Sequence, residues 1–143
     1  MLLPPIAAEN APFWEGCRVG ELRMLRCSET GRLIFPPRPF SPWASDKRAA
    51  VPEWVGVSGR GSIWSFVVPH PPLLPYYAKR APYNVILVAL EEDASVRLVG
   101  NLVAREGGEI NEVDPASIEI GAAVRVVFEP VSDELHIPRW VLA

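Results

Sequence analysis

The sequence has only two cysteines and two histidines, and this scarcity limits the chemistry it can support. Cys17 and Cys27 are too few for a disulfide framework, so we expect a cytoplasmic protein. Neither cysteine has neighbours that mark a nucleophile, and His70 lies between two prolines with no acid nearby. The sequence also lacks a phosphate loop, a nucleophile elbow and a dinucleotide fingerprint. It therefore predicts a protein that is not itself an enzyme.

Long apolar runs and basic tracts are missing as well. The longest strand-like apolar run, residues 85–90, is far shorter than the roughly 20 residues that cross a bilayer. The N-terminus lacks the basic flank and apolar core of a signal peptide. The formal net charge is -3, and acidic and basic residues are scattered along the chain. Because nucleic-acid binding needs a basic footprint, we expect neither a nucleic acid nor a membrane as partner.

Proline, in contrast, is abundant, and the sixteen prolines mark out the local structure. Many lie in residues 35–52 and 69–82, where they exclude helix and interrupt sheets, so both stretches are predicted to be ordered loops. Asn10 precedes a short helical pattern that ends near Gly20. Residues 22–27 and 33–35 then predict a small hairpin around the turn at residues 29–31.

From Glu53 onward the pattern is that of a β domain. Trp64, Phe66 and Val68 are predicted to share one face of its first strand. Asp114 caps a one-turn helix, and Pro138 predicts an edge position for the last strand. The predicted strands are residues 62–68, 84–90, 95–103, 123–129 and 135–141. Five strands with one helical turn fit either an OB-type barrel or a small sandwich, and the pattern alone does not decide between them.

Local motifs favour the barrel. Residues 57–66, VSGRGSIWSF, resemble the opening strand of the OB-fold acyl-CoA-associated family known as domain of unknown function thirty-five. Residues 81–92 and 120–129 are similar to its second and fourth strands, and residues 13–38 to its N-terminal helix and rubredoxin-like zinc ribbon. The resemblance implies a mainly β chain. A short helix and a zinc-ribbon-like hairpin would occupy residues 1–52, and an OB-fold barrel residues 53–143.

One departure from the family pattern concerns the metal. The positions that match the four ribbon cysteines of the family are Cys27, Thr30, Ser41 and Ala44. A structural zinc site needs four nitrogen or sulfur ligands, so we expect no zinc. The ribbon is instead expected to be held by apolar packing of Leu25, Leu33, Phe35, Phe40 and Trp43.

The resemblance implies coenzyme A or an acyl-CoA as the candidate ligand. In Gly59-Arg60-Gly61, the glycines allow close backbone approach and the arginine can grip a phosphate, although a glycine-rich strand entry with a solvated arginine has the same sequence. Arg38, Lys79 and Arg80 are further candidates for phosphate binding.

Aromatic side chains among the prolines suggest a docking surface. Trp43, Trp54 and Phe40 are the candidate partner-binding residues, because interfaces favour aromatic anchors. The alternative is that the two tryptophans pack the ribbon onto the barrel.

The resemblance implies a non-catalytic accessory subunit that supports a thiolase-like or hydroxymethylglutaryl-CoA synthase-like enzyme in lipid metabolism. A competing hypothesis is an OB-fold module for single-stranded nucleic acid, which would use aromatic stacking and a basic groove. A third is a free-standing enzyme acting on a thioester, which would need a nucleophile and a base that the sequence does not offer.

Overall fold

The computed structural model describes residues 1–46, 48 and 50–143, which form a short helix, a three-stranded sheet and a five-stranded barrel. The first part of the chain contains α1 (Ala11–Arg18), β1 (Arg23–Arg26), β2 (Leu33–Ile34) and β3 (Glu53–Gly56). The barrel contains β4 (Arg60–Val67), β5 (Val85–Leu90), β6 (Arg97–Gly100), β7 (Ala123–Pro130) and β8 (His136–Leu142). A short helix α2 (Pro75–Ala78) and a 3-10 turn (Pro115–Ser117) lie in the connections. None of the helices in this described part has the length and apolarity needed to cross a membrane.

The predicted N-terminal helix is present as α1. Asn10 occupies the N-cap position, but its side chain does not cap the helix. Its Oδ1 instead accepts a hydrogen bond from the backbone N–H of Ala7 at 2.8 Å. Gly16 is required on the buried face, since a Cβ there would lie 2.6 Å from the carbonyl oxygen of Glu21. Because of this close approach, α1 packs directly against the segment that precedes β1.

The predicted hairpin forms the ribbon sheet, whose strand order is β2-β1-β3. Leu25 in β1 is opposite Ile34 on one side and Trp54 on the other. Gly31 turns the hairpin with a φ of +73°, a conformation that glycine adopts without steric cost. Because β3 lies beyond residue 52 and yet pairs with β1, the ribbon sheet draws on both predicted segments. The boundary at residue 52 stays a prediction.

The barrel has the strand order β6-β5-β4-β7-β8. A parallel bridge between Leu102 and Trp140 closes it. The N–H of Trp140 donates to Asn101 at 3.0 Å, and the N–H of Val103 donates to Trp140 at 2.8 Å. Five antiparallel strands closed in this order form the Greek-key barrel of an OB fold, so the predicted fold class is confirmed. Pro138 predicted that the last strand, β8, lies at an edge of the sheet. This is only partly so, because the segment that follows β6 lies against β8.

One predicted strand face is wrong because β4 contains a bulge. Ile63 is opposite Val88 and Ser65 is opposite Leu87, which leaves Trp64 as the extra residue. Such a bulge reverses the alternation of side chains beyond it. Ile63 and Phe66 both pack on the core, whereas Trp64 is 50% exposed.

The ribbon and the barrel share one hydrophobic core. Leu22, Met24 and Leu33 from the ribbon region belong to the same buried cluster as Ile63 and Trp140 from the barrel. Phe13 of α1 packs against this cluster. Because buried side chains are closely packed, the helix, ribbon and barrel are held in a fixed relation, and a site can form where the three meet.

Candidate functional site

A largely apolar cleft lies where α1, the loop after β2 and the barrel meet. Its volume is about 560 Å³, within the range of roughly 300–1,000 Å³ typical of small-molecule sites. Its apolar lining consists of Phe13, Trp14, Phe35, Pro36, Pro37, Tyr77, Tyr83, Val85, Leu98, Val99, Ile137, Pro138 and Trp140. The sequence alone did not reveal this cleft.

The polar part of this cleft centres on Arg139, which is only 6% exposed. Its Nε donates to Glu129 Oε2 at 2.7 Å, and its Nη1 donates to Asn101 Oδ1. Within the part of the chain that the structure describes, its Nη2 has no hydrogen-bond partner, and the same is true of Nε1 of Trp14, whose side chain also lines the cleft. Arg139 could not be identified from the sequence, because an arginine in a predicted edge strand gives no signal of burial.

A pair of buried asparagines fixes the polar wall. Asn84 is fully buried just before β5. Its Nδ2 donates to the carbonyl of Leu102 at 2.9 Å, and its Oδ1 accepts from the N–H of Leu102 at 2.7 Å. Asn101 Nδ2 in turn donates to the carbonyl of Asn84 at 2.6 Å. These bonds orient Asn101 so that its oxygen meets Arg139.

The positions that match the family zinc ligands converge in the ribbon, but their side chains do not fit a metal. Cys27 and Ser41 are both fully buried. Hydrogen bonds from the hydroxyls of Ser41 and Thr30 lower the pKa of the Cys27 thiol to about 7. Ala44 packs in the same cluster and has no ligand atom. Residues 1–46, 48 and 50–143 contain no group of three or more metal-ligating side chains, and the absence of zinc stays a prediction.

The ribbon is not held together by the aromatics expected from the sequence. Leu25 and Leu33 are buried, but Phe35, Phe40 and Trp43 are 43%, 57% and 41% exposed, and this part of the prediction is wrong. A smaller cluster of Leu25, Cys27, Ile34, Ala44 and Ala50 supplies the packing. Aliphatic residues and Cys27 therefore form the buried centre of the ribbon.

The candidate partner-binding residues differ in how they are held. Trp43 donates from Nε1 to the carbonyl of Leu33 at 3.2 Å, and the guanidinium of Arg32 stacks 3.6 Å from its ring centroid. Its exposed face is thus held in one orientation. Trp54 is half-buried and packs against the ribbon cluster, whereas Phe40 is exposed. We define Phe35, Phe40 and Trp43 as the ribbon face.

The Gly59-Arg60-Gly61 motif lies at the start of β4. A Cβ at Gly61 would overlap the carbonyl oxygen of Ala89, and one at Gly59 would lie 2.6 Å from Val126. The glycines are therefore explained by close packing within the barrel. The Arg60 side chain is exposed and lines a groove of about 360 Å³ at the β4–β7 junction.

The other basic candidates lie elsewhere. Arg38 is exposed and lines two clefts on the ribbon, one with Trp43 and one with Trp54. Arg80 stacks 3.7 Å from the ring centroid of Tyr76 and pairs with Glu109 at 3.4 Å. Lys79 is exposed beside it. Arg38 and Arg60 line different clefts, and phosphate binding by any of the four residues stays a prediction.

Comparison with known families identifies the architecture. The model of a family described as the ChsH2 C-terminal OB-fold domain matches residues 54–129, and that of the ChsH2 rubredoxin-like zinc ribbon domain matches residues 14–40. The chain belongs to the ChsH2 OB-fold family. The resemblance inferred from local motifs is thereby confirmed, including the ribbon that precedes the barrel.

Relatives of this ChsH2-family chain include enzyme subunits and a scaffold protein. The "3-oxo-4,17-pregnadiene-20-carboxyl-CoA hydratase alpha subunit" of Mycobacterium tuberculosis is 35% identical over 99% of the chain, which spans 39% of that relative's length. A "DUF35 domain-containing scaffold protein" of Methanothermobacter thermautotrophicus is 35% identical over 76% of the chain and 72% of its own length. A solved structure described as "Ltp2-ChsH2(DUF35) aldolase" has a TM-score of 0.78 and 31% identity, and the match covers 98% of both chains.

These names correct one expectation. The sequence predicted a protein that is not an enzyme. That prediction is wrong, because the relatives from Mycobacterium tuberculosis and Thermomonospora curvata are named as alpha subunits of hydratases. The similar solved structure is described as an aldolase. The family therefore includes components of enzymes, although the chain spans less than half the length of the two hydratase subunits.

Proposed function

We propose that this chain is a scaffold subunit of an enzyme that acts on acyl-CoA, and that its partner is a thiolase-like protein. The observation that carries the proposal is the likeness over almost the whole chain to a structure described as an aldolase of two named components. A hydroxymethylglutaryl-CoA synthase-like partner is the alternative within the same class. A scaffold protein among the relatives supports the same role.

The ribbon face is the proposed docking surface for this partner. Its three aromatic side chains are each between 41% and 57% exposed, although aromatic residues of this size normally bury most of their surface. Trp43 is also held by a hydrogen bond and a stacked arginine, so little conformational entropy is lost when it binds. Trp54 packs against the buried cluster of the ribbon.

Coenzyme A recognition by exposed arginines is the second part of the proposal. Arg60 and Arg38 are exposed and lie in clefts, so each has room for a phosphate group. Arg80 is already held by Tyr76 and Glu109, and binding there would have to compete with both. We place this activity in the cytoplasm and in lipid metabolism.

A matched pair of tryptophans tests the docking surface. Trp43 and Trp64 are both about half exposed, and each carries a stacked guanidinium, at 3.6 Å for Arg32 and 3.8 Å for Arg97. Trp64 lies on the barrel and not in the ribbon. Replacing Trp43 with alanine should weaken binding of a thiolase-like partner by about 2 kcal/mol or more, whereas Trp64→Ala should have little effect.

Titration calorimetry with the co-expressed partner measures both affinities, and melting curves show whether each variant is folded. Trp54→Ala belongs to the same series and should mainly lower thermal stability. Equal losses of affinity for Trp43→Ala and Trp64→Ala would exclude the ribbon face as the docking surface. Binding of single-stranded nucleic acid, lost in Trp64→Ala alone, would favour the competing OB-fold function instead.

A further inference from the structure

Two arginines lie directly opposite each other on the outside of the barrel. Arg60 in β4 and Arg125 in β7 are partners in the antiparallel ladder, and both side chains are exposed. The neighbouring ladder bond runs from the N–H of Val126 to the carbonyl of Gly59 at 2.8 Å, whereas the carbonyl of Arg60 accepts from the N–H of Glu91 on its other side. The two arginines therefore form a pair without main-chain bonds between them, the kind in which opposite side chains lie closest.

Neither guanidinium has an acidic partner. The ion pairs in the part of the chain that the structure describes all involve other arginines. On the other side of β7, Arg125 is opposite the buried and apolar Val141. Like charges directly opposite in a sheet are destabilising. The stability of the fold therefore does not explain the pair of Arg60 and Arg125, and a bound anion would relieve the repulsion between them.

The surroundings of the pair offer room and donors for an anion. Arg60 lines a groove of about 360 Å³, and the next residues on the same face, Ser62 and Ala123, are small and line it too. The Ser62 hydroxyl can donate a hydrogen bond, and each guanidinium has several N–H donors. One carboxylate also lines the groove, that of Glu91, whose Oε2 accepts from Ser58 Oγ at 2.9 Å. Two arginines against one carboxylate leave the site with a positive charge.

We propose that Arg60 and Arg125 together bind a phosphate or pyrophosphate group on the outside of the barrel. Guanidinium groups suit these anions because their planar N–H forks match the spacing of phosphate oxygens. Two of them on neighbouring strands can hold one group from two sides. Coenzyme A as the natural source of the group rests on the proposed function, whereas the anion site itself does not. Arg125 is thereby added to coenzyme A recognition, and Arg38 and Arg80 belong to other surfaces.

Inorganic pyrophosphate tests the site without the rest of a ligand. Its titration into the full chain, followed by ¹⁵N NMR, should shift main-chain amide signals at the β4–β7 junction and give a dissociation constant. Arg60→Ala and Arg125→Ala should each weaken binding at least about tenfold, since each removes a charge-assisted contact.

Arg97→Ala is the matched control for the loss of one positive charge. Arg97 is exposed in β6, is in no ion pair within the described residues, and lies opposite Ala89 and not another arginine. Its substitution should change pyrophosphate affinity by less than about twofold, because salt screens exposed charges that do not contact the anion.

Three further measurements separate binding from folding. Because Arg60 and Arg125 are exposed and repel each other, neither alanine variant should melt at a lower temperature than the unsubstituted chain when no anion is added. Pyrophosphate should raise the Tm of the unsubstituted chain more than that of Arg125→Ala. Glu91→Gln should bind pyrophosphate about twofold or more tightly, because it removes the carboxylate that repels the anion.

Coenzyme A and dephospho-coenzyme A identify the group that is bound. Dephospho-coenzyme A keeps the pyrophosphate and lacks the 3′-phosphate, so equal affinities assign the pyrophosphate and weaker binding of the dephospho form assigns the 3′-phosphate. In both cases Arg125→Ala should weaken coenzyme A binding at least about tenfold.

Pyrophosphate affinity that is unchanged in Arg125→Ala, or lowered equally by Arg97→Ala, would refute the paired site. Unchanged or weaker binding in Glu91→Gln, or no binding at millimolar pyrophosphate, would refute it as well. Coenzyme A binding that is insensitive to Arg125→Ala would refute this site and leave the proposed coenzyme A recognition in place. Pyrophosphate binding that needs both arginines, without any binding of coenzyme A, would support the site and refute coenzyme A as its ligand.

Discussion

Replacing Asn84 with alanine tests how the barrel is closed and how the polar wall of the cleft is held. Asn84 makes two hydrogen bonds to the main chain of Leu102, and Leu102 bridges to Trp140 in β8. The substitution removes both bonds. It leaves the N–H and C=O of Leu102 without these partners at a residue that is only 3% exposed.

The expected cost follows from these two bonds. Each contributes about 0.5–1.5 kcal/mol, and a buried main-chain group left without a partner costs about 1–3 kcal/mol. Because the barrel can relax and admit water at one of the two groups, we expect a loss of about 3 kcal/mol in the free energy of unfolding. For a chain of this size that corresponds to a fall in Tm of roughly 6–12 °C.

Urea denaturation measures this loss directly. The midpoint should fall while the slope of the transition stays the same, because the surface exposed on unfolding hardly changes. Asn111→Ala is the matched control, since Asn111 is exposed and its substitution should change stability by no more than about 0.5 kcal/mol. A loss below about 1 kcal/mol for Asn84→Ala would refute the assigned role of these bonds.

Three further outcomes are expected. Because the pKa of Cys27 is lowered to about 7 from an ordinary value of 9.0, its thiolate stabilises the fold above that ordinary pKa, and this stability is lost as the pH falls through 7. The urea midpoint of the unsubstituted chain should thus rise between about pH 7 and 9 relative to Cys27→Ala, and parallel profiles would contradict the assignment. Coenzyme A affinity, measured by calorimetry, should fall by about 1.5–3 kcal/mol in at least one of Arg60→Ala, Arg38→Ala and Arg80→Ala, and unchanged affinity in all three would remove the phosphate contact. Elemental analysis should find no stoichiometric zinc, and about one zinc per chain would refute the account of the ribbon.

The strands of this fold are predictable from sequence because alternation and turn residues mark them locally. The turn at Asp114 is an example, since its carboxylate accepts from the N–H of Ala116 at 3.0 Å as expected of a cap. The bulge at Trp64 is different. It depends on the register with β5, and no local pattern reveals where one residue is added.

In the ribbon, too, the packing of side chains could be predicted from the sequence only in part. Four aligned positions predicted a ribbon that lacks three of the four zinc-binding cysteines, and two of these positions, Cys27 and Ser41, are buried and joined by a hydrogen bond. The sequence could not show that Phe40 and Trp43 remain exposed. Hydrophobicity predicts that a side chain is buried, but it does not identify the residues that would cover it. Exposure of aromatic side chains becomes visible only when the surrounding loop is placed.

The cleft was beyond sequence reasoning for a further reason. Trp14 and Arg139 are separated by most of the chain, and both line the cleft because α1 packs on the closed barrel. Arg60, in contrast, was predicted to bind phosphate because glycines flank it in the sequence. Burial of Arg139 instead depends on Glu129 and Asn101, two residues supplied by other segments.

The most direct test of the scaffold role is the mass of the assembly that forms with a thiolase-like protein from the same organism. The two proteins should be co-expressed, purified and analysed by size-exclusion chromatography with light scattering at micromolar concentration. The account predicts one stable peak containing both chains, and a weaker or absent complex with Trp43→Ala. Elution of the unsubstituted chain alone, at the mass of a free subunit, would contradict it.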